Sequence, residues 1–203
     1  MNTDDPYESL EPAEDDPDVP DWDDDYVDRV SDRLMFNFDL EKDRTVVGTD
    51  FTLYGEMNIH HEKHFIHPVL SFAHHDTFEH VFVREVGDVS VADLEALVAL
   101  GHDLADEWID ADEEHYATEF SFVALADAVP EDVREFVADF RDRTLLKKGF
   151  HGHYEIHLLV ADPEGESLVA SQETDLGEAF RLWEPIEKEE ATWLDLLRRR
   201  LQV

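Results

Sequence analysis

The sequence predicts an α+β fold, a mostly antiparallel sheet of about six strands in the order β-β-β-α-β-α-β-β with helices packed on one face and a helical C-terminus, and three observations carry this expectation. The first is the alternation of polar and apolar residues through Gly149–Val160, which puts His151, His153, Glu155 and His157 on one face of a strand and Tyr154, Ile156 and Leu158 on the other. The second is the row of extended segments between Phe51 and Val83, joined by short connections in the manner of an antiparallel meander. The third is the helical stripe Leu94, Leu97, Val98, Gly101, Leu104, Ala105, Trp108 and Ile109.

In chain order, residues 1–25 carry twelve acids, no base and four of the eight prolines. With almost nothing apolar to bury, they read as a disordered acidic tail, and 26–203 as a single α+β domain. Asp23, Asp24 and Asp25 suit a helix N-terminus, and Tyr26, Val27, Val30 and Leu34 recur at helical spacing, so a short helix is expected to about Met35. Glu41-Lys42-Asp43-Arg44 reads as a turn, and Gly48 as a bend before a strand over 51–64. A second strand is expected from Phe65 to Ala73, a turn at His74-His75-Asp76-Thr77, and a third strand through Phe78–Val83.

Ser90, with Asp93 three residues on, forms the capping box that opens the long helix. Tyr116–Leu125 is a strand. Pro130 starts a second helix with the face Val133, Phe136, Val137 and Phe140. The histidine strand follows, then the turn Asp162-Pro163-Glu164-Gly165 and a pairing strand over 167–171. Helical spacing returns weakly over Asp175–Trp183, and again from Pro185 with Trp193, Leu194, Leu197 and Leu201.

Fifty-two acids against sixteen bases give a formal charge of −36. Such a surface repels nucleic acid and anionic membranes at ordinary salt. Only five of the bases are lysines, and the acidity coexists with an apolar fraction of 42%. In this the chain resembles cytosolic proteins of salt-accumulating archaea. In molar salt the screening length falls to about 3 Å, and partner choice passes to short-range contacts. No apolar run reaches the ~20 residues of a membrane span. A cytoplasmic location is expected, with a protein or a second copy of the chain as partner, and neither membrane nor nucleic acid.

The absence of cysteine excludes thiolate catalysis, disulfides and cysteine-held metals. Twelve histidines raise the question of a metal. On the polar face of the last long strand, neighbours two apart could share an ion, so His151, His153 and Glu155 are candidate ligands, with Glu119 and His60 brought in from other strands. Nitrogen and carboxylate donors suit a divalent transition metal of open identity. The other reading of these residues is a neutral, structural sheet face.

His151-Gly152-His153-Tyr154-Glu155-Ile156-His157 resembles the HxHxDH of metallo-β-lactamase-type hydrolases in three letters. Glu155 and His157 are separated, however, where that family has Asp and His adjacent. His60-His61-Glu62-Lys63-His64 is one residue short of HExxH and lies in a strand pattern, so no zincin is implied. Lys147 and Lys148, beside Arg141 and Arg143, could hold an anion; the two arginines equally suit a helix C-terminus. Two functions are compatible with these features. One is a non-enzymatic interaction or ligand-binding module; the other is a metal-dependent hydrolase of an anionic, phosphate-bearing substrate working through His151, His153 and Glu155 or Glu119.

Overall fold

The computed structural model describes residues 20–62, 74–172, 174 and 176–184. Helix α1 (Asp25–Leu34) is followed by β1 (Asp39–Val46), β2 (Thr49–Glu62) and β3 (His74–Glu85), then α2 (Val91–Trp108), β4 (His115–Leu125) and α3 (Glu131–Asp139). Two strands, β5 (Asp142–Leu145) and β6 (His153–Asp162), precede β7 (Ser167–Ala170) and the short α4 (Gly177–Phe180). The strands form one seven-stranded sheet in the order β1-β2-β3-β4-β6-β5. β5 pairs with β6 over Asp142↔Ile156 to Leu145↔His153, and β7 over Leu159↔Ala170 to Asp162↔Ser167.

The sheet is mixed, which corrects the expected mostly antiparallel arrangement. β3 pairs with β4 in parallel, and β4 with β6 in parallel. The cause lies in the connections: α2 returns the chain between β3 and β4, and α3 followed by the antiparallel β5 returns it between β4 and β6, so the next long strand runs in the same direction. The helices also cover both faces rather than one. α2 and α3 supply Leu94, Leu97, Leu104, Val133 and Val137 to a core with Tyr54, Phe82, Phe120, Phe122, Ile156 and Leu158. On the opposite face, Val27, Val30 and Leu34 of α1 and Phe180 of α4 pack with Leu53, Val81, Val83, Val123 and Leu159.

Local chemistry explains the elements that were expected. Asp24 Oδ1 accepts the amides of Tyr26 and Val27, each at 2.9 Å, and opens α1. Ser90 and Asp93 close the capping box of α2 in both directions. Gly101 lets α2 approach the sheet, because a Cβ there would lie 2.8 Å from Ile156 Cδ1.

Two strands, β1 and β5, were not expected, and two segments read as turns are extended. Glu41–Arg44, read as a turn, is the middle of β1, and His74–Thr77, also read as a turn, opens β3. β1 is an edge strand whose burial alternates, but its half-buried positions include Lys42 and Arg44, so the sequence shows no alternation of polar and apolar residues there. The true turn is Val47-Gly48, with φ of 49° and 80°, a two-residue hairpin. β5 is four residues long and lies on the outer side of β6.

The acidic segment ends earlier than residue 25: Trp22 is buried, and its Nε1 donates to Thr52 O at 2.9 Å. Residues 1–19, the expected strand over 65–73 and the helical pattern from Pro185 lie outside the described residues. Of the weak helix over Asp175–Trp183, the structure keeps only α4.

Candidate functional site

β6 is buried along its whole length, so its polar face is not a solvent-facing row of ligands. The register sets Glu119 of β4 opposite Glu155, and Arg143 of β5 on the other side of Glu155. Arg143 Nη2 lies 3.4 Å from His153 Nδ1, and His153 Nε2 lies 3.2 Å from Glu155 Oε1. A guanidinium only donates and a carboxylate only accepts. Nδ1 of His153 therefore accepts from Arg143, which leaves the proton of the neutral ring on Nε2, beside the Glu155 carboxylate. Burial first, then the Arg143 charge, hold His153 below the usual imidazole range.

His157 joins this group. Its buried Nε2 has no hydrogen bond and lies 3.5 Å from Glu119 Oε2 and 3.7 Å from Glu155 Oε2. Of the five residues expected to form a metal set, the structure thus gathers His153, Glu155 and Glu119, with His157 as the connecting side chain. His60 is not among them, since it lies in β2 in register with Asp76, and β3 and β4 separate that strand from β6. At about 4.8 Å per strand spacing, three steps exceed any ligand shell. His151 precedes β6, and its carbonyl accepts from His115 Nδ1 at 2.8 Å. Among the described residues, no three His, Asp or Glu side chains are placed to hold one metal ion. Lys147 and Lys148 are exposed on the turn Leu146–Gly149, both at positive φ. Gly152 follows at φ 74°, where a Cβ would collide with the Tyr116 backbone.

The opposite face of the sheet holds a cavity of about 410 Å³, under the C-terminal end of α2. Strands β2, β3 and β4 supply Tyr54, Glu56, Asp76, Phe78, His80, His115 and Thr118; α2 and its exit supply Trp108, Ile109, Asp110 and Asp112; Arg44 comes from β1. Cross-strand pairing positions the centre, because Glu56 is in register with His80, and Tyr54 lies one same-face position along β2. The His80 ring stacks on Phe120 (5.3 Å between centroids, 15° between planes) and meets the Trp108 ring at 5.2 Å.

The hydrogen bonds fix the tautomer of His80. The Tyr54 hydroxyl donates to Glu56 Oε2 at 3.0 Å. Its single proton is then committed, so at 2.8 Å it must accept from His80 Nδ1–H. The relay Glu56–Tyr54–His80 therefore leaves Nε2 with a lone pair, and Nε2 has no hydrogen bond among the described residues. Burial lowers the His80 pKa from 6.5 to about 4, with Glu56 opposing and Arg44 adding to the shift. Burial and the neighbouring Glu56 carboxylate likewise push the Tyr54 hydroxyl above the usual phenol range. The result is a buried, neutral imidazole.

Arg44 lies across the aromatic wall, its Cζ 3.9 Å from the Tyr54 ring centroid and 5.6 Å from that of Trp108, while its Nη1 binds Glu41 at 3.1 Å. His115 is fully committed, with Nδ1 donating to His151 O and Nε2 accepting from Thr118 Oγ1 at 2.9 Å. A second cavity, about 560 Å³, opens at the C-terminal ends of the parallel strands, lined by Asp24, Asp25, Glu85, Asp127 and Glu164 with no base. It has one aromatic, Tyr26, and no histidine. The smaller cavity is the stronger candidate, because aromatic walls and convergent polar groups with a shifted pKa occur there together.

Sequence reasoning counted His80 only among the histidines, offered Glu56 only as a polar-face candidate beside His60, and did not single out Tyr54 or Arg44. The available signal was the position of Tyr54 and Glu56 on one strand face, and it acquires meaning only through the register with β3.

Residues 23–182 match the model of the family described as Domain of unknown function (DUF8052). No curated protein and no solved structure matches the chain.

Proposed function

The chain belongs to the DUF8052 family, and we propose that it is a non-enzymatic ligand-binding domain whose small-molecule site is the cavity under the end of α2. One observation carries this reading: a buried neutral imidazole with an unbonded acceptor nitrogen stands among the aromatic walls of a cavity of about 410 Å³. An aromatic lining with a few oriented polar groups is the usual composition of a small-molecule pocket. The aliphatic hydroxyl in the lining, that of Thr118, is already bonded to His115 and is not poised beside a free base. The composition supports a salt-rich cytoplasm as the setting, where short-range contacts select the ligand.

The metal-dependent hydrolase has less support. It would need His153 Nδ1 to give up its contact with Arg143, and it draws on His151, which precedes β6 and turns its carbonyl to His115. The test is a fragment screen by NMR on the full chain at molar salt. Ligand-induced shifts concentrated at Tyr54, His80, Trp108 and Thr118 are expected. Shifts confined to the His153–Glu155–His157 face would move the site there and sink this reading.

A further inference from the structure

We propose that the cavity under α2 takes a small organic cation with a flat apolar body and an N–H donor, such as an amidinium or a protonated heteroaromatic amine. This rests on the reading of that cavity as the ligand site and adds the chemistry of its occupant. Among the described residues four carboxylates line it, those of Glu56, Asp76, Asp110 and Asp112, against one guanidinium. That guanidinium, Arg44, already has its counter-charge in Glu41.

Carboxylates alone would say little in a chain of this composition. The selective feature is His80. Its Nε2 offers a lone pair rather than a proton, because the Glu56–Tyr54 relay fixes the other nitrogen as the donor. The site therefore presents acceptors and asks for a donor. The walls agree: a planar cation, the Arg44 side chain, already rests on the Tyr54 ring, so these faces accept such a group. An anionic ligand would find one paired cation and four carboxylates. A neutral one would leave the His80 acceptor and the exposed Glu56 carboxylate without a charged donor.

The probes are benzamidine, benzamide and benzoate, which share a flat ring and differ in charge. Binding to the full chain is measured by calorimetry at molar salt, with NMR to locate it. Benzamidine is expected to bind about tenfold more tightly than benzamide, and benzoate not at all. His80→Phe keeps the ring stack and removes the acceptor; it should weaken benzamidine about tenfold and leave benzamide unchanged. Should that variant fail to fold, Glu56→Gln serves instead, since its side chain is exposed and can still accept from Tyr54. It should weaken benzamidine several-fold. Benzamide or benzoate binding as tightly as benzamidine, or benzamidine affinity unchanged in the folded variants, would overturn the cation while leaving the cavity a ligand site. Absence of binding by all three would overturn both readings.

Discussion

At the scale of residues, His80 is a buried titratable side chain held well away from its behaviour in water. Its pKa falls from 6.5 to about 4 because burial among Phe120, Phe82 and Trp108 penalises the charged form. As pH drops below 6.5 the unfolded chain takes up this proton before the folded one does. The folded state is therefore destabilised progressively between about 6.5 and about 4, and this group is neutral to stability above that window. The full effect is roughly 3 kcal/mol. Comparing denaturation midpoints of the natural chain and His80→Phe across this range isolates the group from the many carboxylates, which both share. The stability difference should be constant above neutrality and shift against the natural chain by that amount on acidification. Parallel curves would show that His80 titrates in the fold as it does in water.

Among the elements, the β1–β2 hairpin carries a local conflict. A two-residue turn of this type needs positive φ at both positions, and Val47 meets the requirement at a cost that Gly48 does not incur. A β-branched residue there is strained, whereas Asn tolerates the left-handed region. Val47→Asn is expected to raise stability by about 1 kcal/mol without altering the fold, read as an increased denaturant midpoint at unchanged slope. A loss of stability would mean that the Val47 side chain has a packing role its exposure does not suggest. The hairpin bears on the site as well, because β1 delivers Arg44 to the aromatic wall. Elsewhere, the capping box of α2, the strand β4, the proline start of α3 and the β6–β7 turn were all legible in the sequence. Each depends on neighbours within a few positions of one another.

For the whole molecule, a formal charge of −36 acts against compaction. Added salt screens that repulsion, and in molar salt its range falls to about 3 Å. The thermal midpoint is expected to climb continuously from dilute buffer to molar potassium chloride. A midpoint insensitive to salt would show that the folded surface already balances its charges pairwise. Few ion pairs do so among the described residues: Lys42 meets Asp23 and Arg44 meets Glu41 at exposed positions, and Arg143 meets buried Glu155. No helix among the described residues is long and apolar enough to cross a bilayer.

By itself the sequence determined the α+β class, most of the long elements, the exclusion of thiol chemistry and the polar character of the β6 face. These follow from composition and from periodicities of two and 3.6 residues, which are local. Only the tertiary structure decided that β3, β4 and β6 run parallel, that helices cover both faces, and that His153 and Glu155 are buried 3.2 Å apart beside Arg143. It also brought Tyr54 and Glu56 to His80 and placed Trp108, from the far end of α2, over them. These depend on strand order and register. Both are set by which apolar faces meet across the sheet, and no short window of the chain records that.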